Sequence, residues 1–222
     1  MERKETENEG VRISYIKHGI GTPIILLHGN DEDSSIYSVI MSRLSADGFC
    51  VYAMDSRGHG RSDNVDRLRY EDMAEDVIQL IRSEDLEKPL LFGFSDGGIV
   101  GLLLSIRYPG VLSRLIVAGI NLSPDGLTLK AHTALRLGFA ATRSDKLRLM
   151  LTQPDIKAEQ LSAIDIPVIV FHAEKELVKL SDSKTVVENV KNGKLIILEG
   201  HTHDSYVMDN EILYELLKEH IS

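Results

Sequence analysis

At 222 residues, with 43% hydrophobic and 27% charged side chains, the chain has the balance of one globular domain, and no apolar run nears the roughly 18 residues of a membrane span. Its formal net charge of -9 opposes sequence-independent binding to nucleic acid, which draws its energy from basic side chains neutralising phosphates. A single cysteine, Cys50, excludes an internal disulfide and a multi-cysteine zinc site and agrees with a reducing cytoplasm; the charged start, Met1 to Gly10, lacks the apolar stretch of an export signal.

Val11 to Ile16 alternates apolar and polar residues, the pattern of an antiparallel edge hairpin. Pro23 to Leu27 is the first of several short apolar runs that end in Gly, Asp or His and lead into helical patterns, which is how βα units of a mostly parallel sheet read. It closes on His28-Gly29-Asn30. A helix is predicted from about Ser35 to Ala46, stopped at Gly48, a residue suited to the left-handed position after a helix. Phe49 to Met54 is a strand closing on Asp55. From Tyr70 to Ile81 the apolar positions 70, 73, 74, 77, 78 and 81 form a helical stripe, with Glu71 and Asp72 placed where the helix dipole favours them. Leu90 to Phe94 is the next strand and runs directly into Ser95-Asp96-Gly97-Gly98. Ile99 to Ile106 is apolar on nearly every side and reads as a buried helix. Leu115 to Ile120, Val168 to Phe171 and Leu195 to Leu198 supply three more strands, with a helix near Asp182 to Val190 and a last one over Asn210 to Ile221. Between them, Asn121 to Asp165 breaks the rhythm with Pro124, Gly126, Gly138 and Pro154, and is predicted to be a small cap over the strand ends of a single domain, 1–222.

Gly93-Phe94-Ser95-Asp96-Gly97 matches G-x-S-x-G where that motif carries meaning, between a strand and a helix. A nucleophile projected from so sharp a turn tolerates little bulk two positions to either side, and glycine stands at both. The turn also directs the Asp96 N–H and the following helix N-terminus toward a centre where negative charge develops. After the first apolar strand, the backbone N–H of Asn30 is the candidate for a second oxyanion donor. Together with Asp55-Ser56-Arg57-Gly58-His59-Gly60-Arg61-Ser62, Ile166-Pro167-Val168 and a histidine soon after the last strand, these pieces resemble the α/β-hydrolase superfamily from about residue 11 to the C-terminus.

The resemblance implies a mostly parallel central sheet with helices on both faces, and a triad in chain order serine, acid, histidine. Ser95 is the nucleophile. Glu199-Gly200-His201-Thr202-His203 aligns with the family's E-G-x-G-H ending and puts the catalytic histidine at His203, with His201 the rival. The acid is expected where relatives resemble G-x-x-D-x-x-V; here Ala173-Glu174-Lys175-Glu176-Leu177-Val178 departs from that pattern, giving Glu176 the acid position and leaving Glu174 as its neighbour in contention. Within the cap, His132 is a candidate to line the pocket, and His59, Arg57 and Asp63 are expected to shape a loop.

The implied activity is hydrolysis of a small to medium carboxylic ester, thioester or amide through an acyl-enzyme, with no cofactor and no metal. Acyl transfer, perhydrolysis and carbon–carbon bond cleavage use the same groups, and a hydrolase-fold protein that binds a ligand without turnover is the alternative from another class. His201-Thr202-His203-Asp204 superficially matches the H-x-H-x-D of dinuclear zinc hydrolases, but its aspartate comes one position early. A small-molecule substrate is the expected partner, with no nucleic acid and no membrane, and nothing in the sequence points to a homo-oligomer.

Overall fold

The computed structural model describes residues 1–208 and 210–221. Eight strands, β1 (Glu2–Asn8), β2 (Val11–His18), β3 (Thr22–Leu27), β4 (Phe49–Met54), β5 (Leu90–Phe94), β6 (Arg114–Ala118), β7 (Pro167–Lys175) and β8 (Asn192–Thr202), form one sheet in the order β1-β2-β4-β3-β5-β6-β7-β8. The first three in that order pair antiparallel and the rest are parallel, the topology of an α/β-hydrolase fold. The helices are α1 (Ser38–Ala46), α2 (Tyr70–Ser83), α3 (Asp96–Arg107), α4 (Leu129–Thr142), α5 (Asp145–Thr152), α6 (Ala158–Leu161), α7 (Leu180–Asn189), α8 (Ser205–Met208) and α9 (Asn210–Ile221).

Strand periodicity sorts the core into two layers, because successive side chains leave a strand on opposite faces. In β3, Ile25 and Leu27 enter the layer beneath α2 and α3, while Ile24 and Leu26 enter the layer beneath α1 and α9. The same alternation recurs in β6 and β7, where Leu115, Val117, Val168 and Val170 face one layer and Ile116, Ala118, Ile169 and Phe171 the other. With both faces covered, these strands read as continuous apolar runs, which is why they stand out in the sequence.

Several elements differ from the sequence reading, among them β8, which runs three residues before and four beyond the predicted Leu195 to Leu198 and so includes His201. Glu2–Asn8 is a strand, the true edge of the sheet, joined to β2 by Glu9-Gly10 with φ of 52° and 78°, a turn of the kind that favours two-residue hairpins. Its charged residues hid it, and they suit an edge that must not pair with other chains. The helix predicted from Ser35 opens as a 3-10 turn, Ser34–Tyr37, capped by the Asp33 side chain on Ser35 N–H, before α1 begins. The strand predicted over Val168 to Phe171 extends to Lys175, with an irregular register against β8 between Ala173 and Lys175.

Glu84, just past α2, ties this antiparallel edge to the helix layer, accepting from Lys4 Nζ at 2.8 Å, Lys17 Nζ at 2.5 Å and Tyr15 Oη at 2.7 Å. Burial alone raises its pKa, but the three donors outweigh burial and bring it from 4.5 down to about 2. The unfolded chain therefore takes up this proton first, so the contribution is complete above about pH 4.5 and is lost as pH falls toward 2. Urea midpoints measured across that window are expected to fall more steeply in the wild type than in Glu84→Gln.

Candidate active site

The parallel strands end on one side of the sheet, and the candidate side chains Ser95, Glu176 and His203 gather there, where ligand sites lie in such sheets. Between β5 and α3, Ser95 sits at φ 51° and ψ -114°, a backbone few non-glycine residues adopt, with its N–H held by Ala118 O at 2.8 Å. Tight packing enforces that turn. A Cβ on Gly93 would lie 2.3 Å from Gly97 O, and one on Gly97 would lie 2.3 Å from Leu27 O, so the turn has room only for glycine at both positions.

Ser95 Oγ lies 3.2 Å from His203 Nε2, and His203 Nδ1 bonds Glu176 Oε2. With the Nδ1 proton donated to the carboxylate, Nε2 of a neutral ring is left as the acceptor for the serine hydroxyl. The Glu176 side chain is 2% exposed and that of His203 15%, so the carboxylate is sheltered while the imidazole keeps access to the cavity. Glu176 also accepts from its neighbour Leu177 N–H at 3.0 Å. The carboxyl thus folds back over its own loop, just beyond the register irregularity at the end of β7. Phe94 packs on the other side of the imidazole, ring centroids 5.0 Å apart.

The rivals point elsewhere. Glu174 accepts from Gly200 N–H at 2.8 Å, His201 Nδ1 contacts Ser205 Oγ at 3.1 Å, and Asp204 accepts from Thr202 Oγ1 at 3.0 Å. His201, His203 and Asp204 are therefore not convergent ligands. His132 lies on the outside of the cap beside Arg136 and Arg143, not on the cavity at Ser95. Arg57 makes a two-bond pair with buried Asp76, at 2.7 and 2.6 Å, and Asp63 holds Arg12 on the sheet edge. His28 and His59 are buried; His28 bonds Gly29 O and Ser56 N, while burial pushes the His59 pKa down to about 4, so both shape the loop as neutral rings.

Asn30 and Asp96 both border the cavity, and their backbone N–H groups have no hydrogen-bond partner among the described residues. Their side chains meet as well. Asn30 Nδ2 donates to Asp96 Oδ2 at 2.8 Å and Tyr70 Oη donates to Asp96 Oδ1 at 2.7 Å, tying the two loops together. Burial raises the Asp96 pKa and these donors oppose the rise. Asn30 Nδ2 also reaches Lys146 O at 3.3 Å, so the same amide links the cap to this loop. The sequence reading used only backbone groups here and missed the Asn30–Asp96–Tyr70 cluster, since nothing in local spacing brings residues 30, 70 and 96 together. It missed Gly119 for the same reason: this glycine, at φ 62°, lies beneath the imidazole, where a Cβ would stand 2.6 Å from His203 Cε1.

The cavity holds about 540 Å³, with Ser95 and His203 on its floor. Its far wall is aliphatic, built by Leu127, Ala131, Leu135, Leu147, Met150 and Val178 from the cap and the Glu176 loop. The cap is rooted beside the triad: Thr128 N–H bonds Leu177 O at 2.9 Å and Lys179 N–H bonds Gly126 O at 2.7 Å.

A family model described as serine aminopeptidase, S33, matches residues 22–162, which include the Asn30 and Ser95 turns. The chain belongs to this family of α/β hydrolases. Curated relatives of the chain carry the names of esterases and lipases. The chain is 34% identical over 124 residues to a monoacylglycerol lipase of Mycolicibacterium smegmatis, a match covering 50% of this chain and 43% of that protein. To the sn-1-specific diacylglycerol lipase ABHD11 of Danio rerio it is 32% identical over 130 residues, covering 58% of this chain and 40% of the relative. The chain thus spans less than half the length of these curated lipases. An esterase from Exiguobacterium antarcticum superposes with a TM-score of 0.84 at 19% identity, covering 98% of both chains, a likeness of fold. No helix among the described residues is long and apolar enough to cross a membrane.

Proposed function

We propose that the enzyme hydrolyses carboxylic esters of small to medium acyl groups through an acyl-enzyme formed on Ser95. The observation that carries this reading is the unbroken chain of contacts from Ser95 Oγ through His203 to Glu176 at the floor of an aliphatic cavity. His203 Nε2 takes the hydroxyl proton as Ser95 Oγ attacks the ester carbonyl, and Glu176 fixes the ring and offsets the charge it gains. The unpartnered N–H groups of Asn30 and Asp96 receive the oxyanion of the tetrahedral intermediate, a contribution of about 2.7 to 4 kcal/mol for each donor of this kind. His203 then returns its proton to the departing alcohol, and water, activated by the same imidazole, releases the acid.

The aliphatic wall favours an acyl chain over a peptide side chain, and the lipase names of curated relatives agree with that preference. A fluorophosphonate, which reacts only with an activated serine, is expected to add one phosphonyl group at Ser95, identified by peptide mass spectrometry. The label should disappear in His203→Ala, where the hydroxyl has lost its base. Absence of label on the folded wild type, or label at another serine, defeats the assignment.

A further inference from the structure

The α4–α5 part of the cap differs in charge from the rest of the chain. Across residues 129–152 there are five basic residues and one acid, in a chain whose net charge is -9, while the whole of 121–165 holds six basic and five acidic residues. Two of the five are paired, Lys146 with Asp31 at 2.8 Å and Arg148 with Asp145. The other three, Lys130, Arg136 and Arg143, have no carboxylate partner among the described residues; Arg143 instead lies 5.6 Å from the Phe139 ring centroid. All three belong to α4 or its C-terminal cap.

Helix α4 buries only Ala131, and its inner face walls the Ser95 cavity. Its outer face presents Leu129, 82% exposed, and Leu137, 69% exposed, with Thr133 and Ala140 filling the helical stripe between and beyond them. At 100° per residue, Arg136 falls on one flank of this stripe, and Lys130 falls on the other, at the rim where it also lines the Ser95 cavity. Two exposed leucines bordered by unpaired cations on long apolar stems have the arrangement of a helix lying in a lipid–water interface, where leucines enter the acyl boundary and the cations reach the headgroups.

We propose that the outer face of α4 docks on an anionic lipid surface, bringing the cap wall of the Ser95 cavity to that surface. Charge complementarity selects the anionic surface. The acidic body does not oppose it strongly, since screening confines the interaction to groups within about 8 to 10 Å of the headgroups. Area argues against a second protein surface as the occupant: a helix of this length offers a strip of about 20 by 10 Å, well below the roughly 800 Å² per partner of a stable complex. The sequence reading expected no membrane partner; a peripheral contact of this kind departs from that expectation, and it needs no spanning segment.

The test is co-sedimentation of the whole chain with vesicles of phosphatidylcholine alone and of phosphatidylcholine mixed with phosphatidylglycerol. Binding is expected only to the mixed vesicles, weakening as salt is raised, and equally in Ser95→Ala, so that its outcome is separate from that of the ester reading. Each cation contributes about fivefold to partition, so Arg136→Glu with Arg143→Glu should lower it by more than about 25-fold. Leu129→Ser with Leu137→Ser should also lower it at least about tenfold. None of these four side chains borders the cavity, and turnover of a short soluble ester should be unchanged in both doubles. The proposal is overturned by absence of binding, by equal binding to neutral vesicles, or by doubles that bind as wild type. A concentration-dependent dimer abolished by the same substitutions would also overturn it, by assigning the face to a second copy.

Discussion

Ser95→Ala is expected to reduce kcat on a nitrophenyl ester by about 10⁶-fold, the loss that follows removal of the nucleophile where serine, imidazole and carboxylate act as a unit. The size follows from what remains. Without the hydroxyl the oxyanion donors still bind the carbonyl, and the cavity still orients the ester, but no acyl-enzyme forms and water must attack unaided. Alanine occupies φ 51° and ψ -114° at the same backbone cost as serine, and the N–H bond to Ala118 O is untouched, so the fold is retained. Thermal melting of the variant should match the wild type within a few degrees, which separates lost chemistry from lost structure. Ser95→Gly is the informative partner: it is equally inactive, yet relief of a backbone strain of about 1–3 kcal/mol at the turn should raise its melting temperature. A variant that keeps more than a hundredth of wild-type turnover, after exclusion of contaminating esterase, would show that some other group attacks the ester.

Elements and site were legible in the sequence to different degrees, and the physical reason differs case by case. Strands β3, β5, β6 and β7 stood out because both of their faces are buried, which leaves no polar alternation to confuse them. β1 did not, because an edge strand contributes little to the core and its Glu, Lys and Arg residues carry no period. Ser95 was recoverable from local spacing, since its strained turn dictates small residues at fixed offsets. The link from His203 to Glu176 rested on resemblance to relatives, because it joins the ends of β7 and β8 across loops whose path the chain composition does not encode. Gly119 and Tyr70 were out of reach altogether. Each acts on the site from a strand end or helix start that only the folded sheet brings near residue 95, the glycine by leaving room for the imidazole and the tyrosine by donating to Asp96.

Glu176→Gln should cost about 10⁴-fold in kcat, less than loss of the nucleophile and far more than loss of any surface carboxylate. The amide is close in size and keeps the backbone interactions available, but it carries no charge to offset an imidazolium, and its NH₂ favours the tautomer with the proton on Nε2, where Ser95 needs an acceptor. Glu176→Asp tests reach rather than charge. The shorter stem draws the carboxylate away from Nδ1 while its charge remains, so its turnover should fall between the wild type and the amide. Glu174→Gln keeps an oxygen that can accept from Gly200 N–H, loses only an exposed charge, and should retain most activity. Measured together, the three variants separate identity of the acid from local loop stability: if Glu174→Gln falls as far as Glu176→Gln, the imidazole is being oriented by the loop as a whole, and the single carboxylate on Nδ1 loses its assigned role.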